Sequence, residues 1–149
     1  MDDEFRTLLQ TFIRRFGLLG GDQTPCGKPL PPSDAHALMC LRSAGEDGLL
    51  QTALVEQLAL DKSSVSRLVA RLTEGGHVTA ATAPDARARP IRLTRKGMKL
   101  AAEINEASHA RFTTLLELVP ARRRASRMTA RHDLVDAIER IDPEQDTTP

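Results

Sequence analysis

One short segment constrains the fold of this chain more than any other: two helical patterns that follow each other across a tight turn. The first helix is predicted over 52–59, with Thr52 as its N-cap and its leucines and valine on one face. The second is predicted over 61–74, where Asp61 is the N-cap and apolar residues recur at helical spacing. Because two helices joined by so short a turn cross at a steep angle, the segment predicts a helix-turn-helix.

The remaining patterns surround this motif with further helices and one hairpin. Ser33 is predicted to be the N-cap of one helix, and Thr94 that of a long helix which ends before Pro120. The predicted helices span 4–19, 34–44, 52–59, 61–74, 95–118 and about 121–141, and the strands span 77–82 and 91–93, with Gly48 to Leu50 as a very short strand. The expected class is mainly α, an α+β winged helix in the order helix, helix, helix-turn-helix, two-stranded wing, long helix, helix.

Charge is unevenly distributed along the chain. The net charge is only +1, yet the segment from Asp61 to Lys99 holds nine basic residues and three acidic ones. A segregated basic stripe is typical of a protein that binds a polyanion. The chain has no Trp or Tyr and four Phe, whereas proteins that bind single strands stack the bases on aromatic side chains. The composition therefore favours duplex DNA as the partner.

Small hydroxyl and basic side chains lie opposite the apolar stripe of the second helix. Hydroxyls at a helix N-terminus suit close approach to base edges and phosphates, and Arg67 can form a fork with guanine. Arginines in the hairpin suit a narrow minor groove. Asp85, in the same hairpin, is predicted to pair with one of these arginines and so to brace the wing. The predicted DNA-binding residues are Gln51, Thr52, Lys62, Ser63, Ser64, Ser66, Arg67, Arg71, Arg87 and Arg89.

From Pro32 to about Ile104 the sequence resembles the MarR family of bacterial regulators. The matching features are the block LALDKSSVSRLV at 58–69, the wing sequence DARAR at 85–89, and IRLT at 91–94 followed by Gly97. The resemblance implies an obligate homodimer on a palindromic operator, commonly a repressor released by a small phenolic ligand, an oxidant or a metal. The chain departs from the family at Ala59, where Gly is frequent, and at His77, where an apolar or aromatic residue is usual.

The domain organisation follows from the apolar faces of the first and last helices, which must be buried somewhere. Residues 33–97 are predicted to form the winged helix-turn-helix DNA-binding domain. Residues 1–32 and 98–149, including a loop over 20–32, are predicted to form a helical dimerisation region.

The loop over 20–32 holds a candidate residue for sensing the signal that releases the protein from DNA. It contains Cys26, and two histidines, His36 and His109, follow it along the chain. Sulfur and imidazole suit zinc or another soft metal. Three interpretations stay open: an inert loop cysteine with surface histidines, a redox or electrophile sensor at Cys26, and a metal site. Zinc is thus an open alternative, and no cofactor is predicted.

Several classes of protein are disfavoured. The chain lacks an apolar run long enough to span a membrane, and its acidic start is unlike a secretory signal, so we expect a cytoplasmic protein. It has no Gly-rich phosphate loop, no Gly-x-Ser-x-Gly and no His-Glu-x-x-His, so we do not expect an enzyme. The remaining alternative is a winged-helix module that binds another protein and not DNA.

Overall fold

The computed structural model describes residues 2–19, 21–80 and 89–141, and for residues 2, 124–128 and 131 the backbone alone. Its α-helices are α1 (Asp2–Phe16), α2 (Pro32–Ala44), α3 (Gln51–Leu58), α4 (Lys62–Glu74), α5 (Arg95–Glu117) and α6 (Arg124–Ile141), and its strands are β1 (Val78–Ala80) and β2 (Ile91–Leu93). Short 3-10 turns span Gly45–Asp47 and Ala121–Arg123. Internal contacts divide the chain into a unit of residues 1–108 and a unit of residues 109–149. The predicted fold class is confirmed.

The turn between α3 and α4 has the geometry that a helix-turn-helix needs. Ala59 ends α3 in the left-handed conformation, with φ of 51°. Asp61 then caps α4 in extended conformation, and its carboxylate accepts a bond of 2.8 Å from the amide of Ser64. The predicted cap at Asp61 is confirmed. A non-glycine residue in the left-handed region carries a steric cost, so Ala59 is a point of strain in this turn.

Two of the predicted helix caps are wrong. Ser33 lies inside α2, which begins at Pro32, and its hydroxyl contacts the neighbouring Asp34 carboxylate instead. Proline at the first helical position has its φ angle preset, so the helix starts there without a side-chain cap. Thr52 likewise lies inside α3, which begins after Leu50. The predicted cap at Thr94 is confirmed, since its Oγ1 accepts a 3.0 Å bond from the amide of Gly97.

The wing begins as a short antiparallel sheet. β1 pairs with β2 so that Val78 lies opposite Leu93 and Ala80 lies opposite Ile91. The very short strand predicted near Leu49 is an isolated bridge, because Leu49 and Ile91 exchange backbone bonds of 3.0 and 2.7 Å. The first strand was predicted over 77–82, of which 81 and 82 lie outside the described residues.

One hydrophobic core holds this region together. Leu38, Leu54 and Val65 have no accessible surface, and each contributes roughly 1.5–3 kcal/mol through burial. The core draws on α2, α3, α4, both strands and the first half of α5; its members are Ala35, Ala37, Leu38, Leu41, Leu54, Val65, Leu68, Leu72, Val78, Ile91, Ala101 and Ile104. It fixes α4 with its apolar stripe inward and its polar side chains outward.

Outside this core, several helices leave large apolar side chains exposed. On α1 they recur at helical spacing, as Phe5, Leu8, Leu9 and Phe12. In the unit of residues 109–149 they include Phe112, Leu115, Leu116, Leu118, Leu134, Val135, Ile138 and Ile141. Within the described part of the chain, no helix is long and apolar enough to cross a membrane.

Candidate nucleic-acid interface

The N-terminus of α4 is organised by a single carboxylate. Asp61 accepts bonds of 2.6 Å from the Ser63 hydroxyl and 2.7 Å from the Ser64 hydroxyl, besides the 2.8 Å bond from the Ser64 amide. These donors hold the pKa of Asp61 far below its usual range, so the carboxylate is ionised at neutral pH. Because both serine hydroxyls donate to Asp61, their oxygens keep lone pairs that can accept further hydrogen bonds.

Arg67 lies one turn further along and belongs to the same hydrogen-bonded chain. Its guanidinium donates a bond of 3.3 Å to Ser64 Oγ, so Asp61, Ser64 and Arg67 are linked in sequence. Arg67 is exposed, as are Lys62 and Ser66. We define the polar face of α4 as four exposed residues and the half-buried Ser64; the exposed ones are Lys62, Ser63, Ser66 and Arg67. A planar guanidinium held at its inner edge and free to reach outward suits guanine or phosphate recognition.

Arg71, predicted to bind DNA, has a partner within the protein. Its NH2 group donates a 2.6 Å bond to Asp34 Oδ1, and its Nε donates a 3.3 Å bond to Asp34 Oδ2. The Asp34 side chain is 8% exposed and that of Arg71 is 50% exposed. The bond to Asp34 raises the pKa of Arg71 further. A DNA contact by Arg71 stays a prediction.

The sequence interpretation did not include Asp34, which lies 37 residues before its partner. One signal could have found it. Asp34 precedes Leu38 and Leu41 by one and two helical turns, so it shares the buried stripe of α2. An acid on a buried stripe indicates a cation on a neighbouring element, since buried charges are almost always paired.

The other predicted DNA contacts are partly described. Gln51 and Thr52 are exposed at the start of α3. Arg89 is exposed just before β2. Arg87 and the proposed brace Asp85 lie outside the described residues. The fold does not test whether these residues contact DNA, so their roles stay predictions.

The root of the wing is joined tightly to the end of α4. Lys96 Nζ donates a 2.7 Å bond to the Gly75 carbonyl, and Thr94 Oγ1 donates one of 2.6 Å to the Gly76 carbonyl. A Cβ at Gly97 would overlap the carbonyl oxygen of His77, which explains why glycine stands there. The junction therefore fixes α5 against the C-terminus of α4.

His77 departs from the usual apolar residue at this junction. Its Nδ1 is buried with no hydrogen-bond partner in the described part of the chain. Burial, and secondarily the charge of Lys96, lower the pKa of His77. The neutral imidazole therefore fills the apolar position without adding a charge.

The loop before α2 is more ordered than its composition predicts. Thr24 is buried, and its amide and hydroxyl both bond to the backbone of Lys28 at 2.9 Å. Lys28 Nζ in turn lies 3.4 Å from Glu103 Oε2, which ties the loop to α5. Cys26, half-buried, has its Sγ 3.1 Å from Thr24 Oγ1.

The candidate metal ligands of the open zinc alternative, Cys26, His36 and His109, do not form a recognisable metal centre among the described residues. His36 and His109 are both exposed. Among the described residues, no group of three or more His, Cys, Asp or Glu side chains is placed to hold a metal ion. The geometry offers no support for zinc at Cys26, and a sensor role for that thiol stays a prediction. Cys40 packs against the core, and burial raises the pKa of its thiol.

Comparison with known proteins gives one family. Residues 28–88 match the model of the MarR family. No curated protein matches the chain. Solved structures do match: a probable transcriptional regulator from Pseudomonas aeruginosa has a TM-score of 0.71 at 21% identity, over 89% of this chain and 98% of its own.

Two further structures are similar over most of their length. MepR from S. aureus, solved in complex with DNA, has a TM-score of 0.67 at 19% identity, over 90% of this chain and 94% of its own. A MarR family transcriptional regulator from Silicibacter pomeroyi has a TM-score of 0.61 at 25% identity, over 92% of this chain and 88% of its own. The resemblance to the MarR family is confirmed, and at these identities the structural likeness establishes the fold.

Proposed function

From the match of residues 28–88 to the MarR family, we propose that the protein is a sequence-specific transcriptional regulator that binds duplex DNA. It acts as a homodimer on a palindromic operator in the cytoplasm. Following the family resemblance, it represses neighbouring genes and is released by a small ligand, an oxidant or a metal. MepR, which shares the fold over 90% of this chain, was solved with DNA bound.

The observation that supports DNA binding best is the polar face of α4. A buried stripe of Val65, Leu68 and Leu72 holds the helix against the core, so the opposite face projects outward. On that face the Asp61–Ser64–Arg67 chain orients a guanidinium, and Ser63 offers an acceptor beside it. A helix docked by its N-terminal half in the major groove presents these groups to base edges.

The homodimer is supported by the exposed apolar side chains of the terminal helices. Leu8 is 62% exposed and Ile138 59% exposed, and both belong to stripes at helical spacing. Monomeric proteins rarely leave such contiguous apolar surface in water. Two identical chains related by a twofold axis would bury it and would place two α4 helices on one duplex.

A second candidate function is a winged helix that binds a protein partner and not DNA. It would account for the fold and for the exposed apolar helices. It gives no reason for Lys62 and Arg67 on one outward face of α4. The salt dependence of duplex binding separates the two functions, since phosphate contacts release counterions and protein docking does not require them.

The direct test measures binding to the duplex DNA upstream of the protein's own gene across a salt series, with Arg67→Ala and Arg42→Ala as variants. Arg42 is exposed on the last turn of α2, off the polar face, and is the matched control. We expect a steep loss of affinity with salt for the wild type. Arg67→Ala should weaken binding to this DNA by about 1–3 kcal/mol while random duplex is affected less, and Arg42→Ala should match the wild type.

Either of two results would contradict the proposal. A salt slope near zero would exclude phosphate contacts and favour the protein-binding alternative. An equal loss on specific and random duplex would show that Arg67 does not read a base.

A further inference from the structure

Resting on the proposed function, the geometry points to Arg71 as a positioning residue and not a DNA contact. Its guanidinium fastens α4 to α2 through Asp34 and so sets the direction in which Arg67 faces the groove. The two roles lead to different experiments, because a positioning residue acts on selectivity and a phosphate contact acts on affinity for any duplex.

The contact has the form of a two-pronged pair. NH2 and Nε of Arg71 donate to the two different carboxylate oxygens of Asp34, at 2.6 and 3.3 Å. A fork of this kind fixes the orientation of both groups as well as their separation. An ammonium group carries the same charge but cannot reproduce that geometry.

The burial of Asp34 makes the pair obligatory. Its side chain is 8% exposed, and an ionised carboxylate in such a place needs a compensating charge. Ser33 Oγ adds only a neutral hydrogen bond, of 3.3 Å. Turning Arg71 toward DNA would leave the carboxylate of Asp34 without its counter-charge, which opposes any use of Arg71 as a phosphate contact.

The pair also joins the last turn of α4 to α2. At its N-terminus the helix is held by the Asp61 cap, and at its C-terminus Lys96 binds the Gly75 carbonyl. Between these ends, α4 meets its neighbours through apolar side chains such as Leu68 and Leu72, whose contacts are non-directional. The fork to Asp34 adds a directional contact that restrains rotation of α4 about its axis, and Arg67 lies one turn before Arg71.

The test compares Arg71→Lys, Arg71→Gln, Asp34→Asn and the double variant Asp34→Asn/Arg71→Gln with the wild type. The probes are a duplex selected by the wild type from a randomised pool and a scrambled duplex of equal composition, each titrated across a salt series. Lys62→Gln is the reference for loss of an exposed cation on the same helix. Thermal unfolding of each variant records whether it is folded at the assay temperature.

We expect Arg71→Lys to bind the selected duplex on the order of tenfold more weakly, the loss of one well-placed base contact. Binding to the scrambled duplex should stay within about twofold, and the salt slope should be unchanged. Asp34→Asn should give the same loss although it lies on another helix. The double variant should be no worse than the worse single variant, because the two residues act through one contact. Lys62→Gln should make the slope shallower by about 1 on both duplexes.

Three results would overturn the inference. Arg71→Lys binding like the wild type would show that only the charge matters. A slope shallower by about 1 in Arg71→Gln would make Arg71 a phosphate contact, as would losses that add in the double variant. If Asp34→Asn or Arg71→Gln is unfolded, Arg71→Lys decides the question. If the wild type selects no sequence at all, the proposed function fails and this inference with it, whereas a selected sequence with Arg71→Lys unchanged contradicts the inference alone.

Discussion

The winged-helix core and the terminal helices place the same kinds of apolar residue in opposite surroundings. In the core, Leu38 and Leu54 have no accessible surface. On α1 and α6, Leu8 and Ile138 keep more than half of theirs, at 62% and 59%. Leucine at helical spacing occurs in both regions, whereas all four phenylalanines lie outside the core.

The difference teaches which part of the protein is complete within one chain. Burial stabilises a side chain only where a partner surface excludes water from it. The core finds that surface within residues 35–104, between α2, α3, α4, the wing strands and α5. The terminal helices leave theirs open, so their apolar residues can contribute to assembly more than to the stability of a single chain.

The largest expected effect, which tests the distinction between the two regions, is on the free energy of unfolding. Leu54→Ala removes a fully buried side chain and should lower the free energy of unfolding by about 2–5 kcal/mol, through lost transfer energy and the cavity left behind. This change can be measured by denaturant unfolding, at a protein concentration low enough for the protein to be monomeric. Ile138→Ala is the matched control on α6 and should change this monomer value little. Similar losses for both variants would contradict the distinction between the regions.

The next effect concerns assembly. Ile138→Glu places a charge in the exposed apolar stripe of α6 and should weaken the proposed dimer by about 2–4 kcal/mol, since an isologous interface contains the substitution twice. Sedimentation velocity over a concentration series measures the dissociation constant. Ser43→Glu adds the same charge to an exposed position of α2 outside the stripe and should leave it unchanged. A dimer of unaltered affinity in Ile138→Glu would show that this stripe lies outside the interface.

Local signals in the sequence were sufficient to predict most of this fold. The cap at Asp61, the return strand and the apolar stripe of α4 all depend on residues close to one another, and the structure confirms them. Of the stripe predicted as Val65, Leu68, Val69 and Leu72, all are buried except Val69, which is partly buried against the core. The caps at Ser33 and Thr52 were predicted wrongly, because a hydroxyl near a helix start does not reveal whether the chain has already entered the helix.

Contacts between distant residues could not be predicted in the same way. Asp34 and Arg71 come together only because α2 and α4 share the core, and the salt bridge between Lys28 and Glu103 depends on where the loop meets α5. The buried stripe of α2 indicates that Asp34 needs a cation, but no pattern in the sequence identifies which one, so sequence reasoning assigned Arg71 to DNA from its charge alone. For the candidate site, the sequence predicted which face of α4 is polar but not how its side chains are bonded.

A smaller effect is the pH dependence of the stability that the Asp61 cap gives to the winged-helix region. The pKa of Asp61 is lower in the folded chain than its ordinary value, because Ser63 and Ser64 donate to the carboxylate. Its contribution to stability is therefore complete above the ordinary pKa of aspartate, about 3.9, declines below that value, and is lost only as the pH falls through the lower pKa of the folded chain. Thermal unfolding of the wild type and Asp61→Ala should differ most at pH 7 and by less at pH 3, where the carboxylate of the unfolded chain is already protonated. A gap that stays constant between these pH values would mean that the carboxylate is not the stabilising group.

The smallest effect is a gain. Ala59 adopts a left-handed conformation that glycine adopts without steric cost, and its side chain is exposed. Ala59→Gly should therefore raise the free energy of unfolding by up to about 1 kcal/mol, less the entropy that glycine adds to the unfolded chain. Denaturant unfolding measures the gain, and the dimer dissociation constant should not change. Ala70→Gly, an exposed position within α4, is the opposite control and should destabilise. A loss of stability in Ala59→Gly would show that the turn is not strained.

Two glycines at the base of the wing limit how this protein can diverge. Gly48 has a φ of +70°, and a Cβ there would overlap the Ile91 carbonyl. A Cβ at Gly97 would overlap the carbonyl of His77. In a library of all single substitutions scored for folded protein, both glycine positions should reject every replacement, whereas exposed positions such as Lys62 and Ser66 should accept exchange. Paralogues that acquire new binding preferences would therefore vary along α4 and in the hairpin, and keep an unchanged base beneath them.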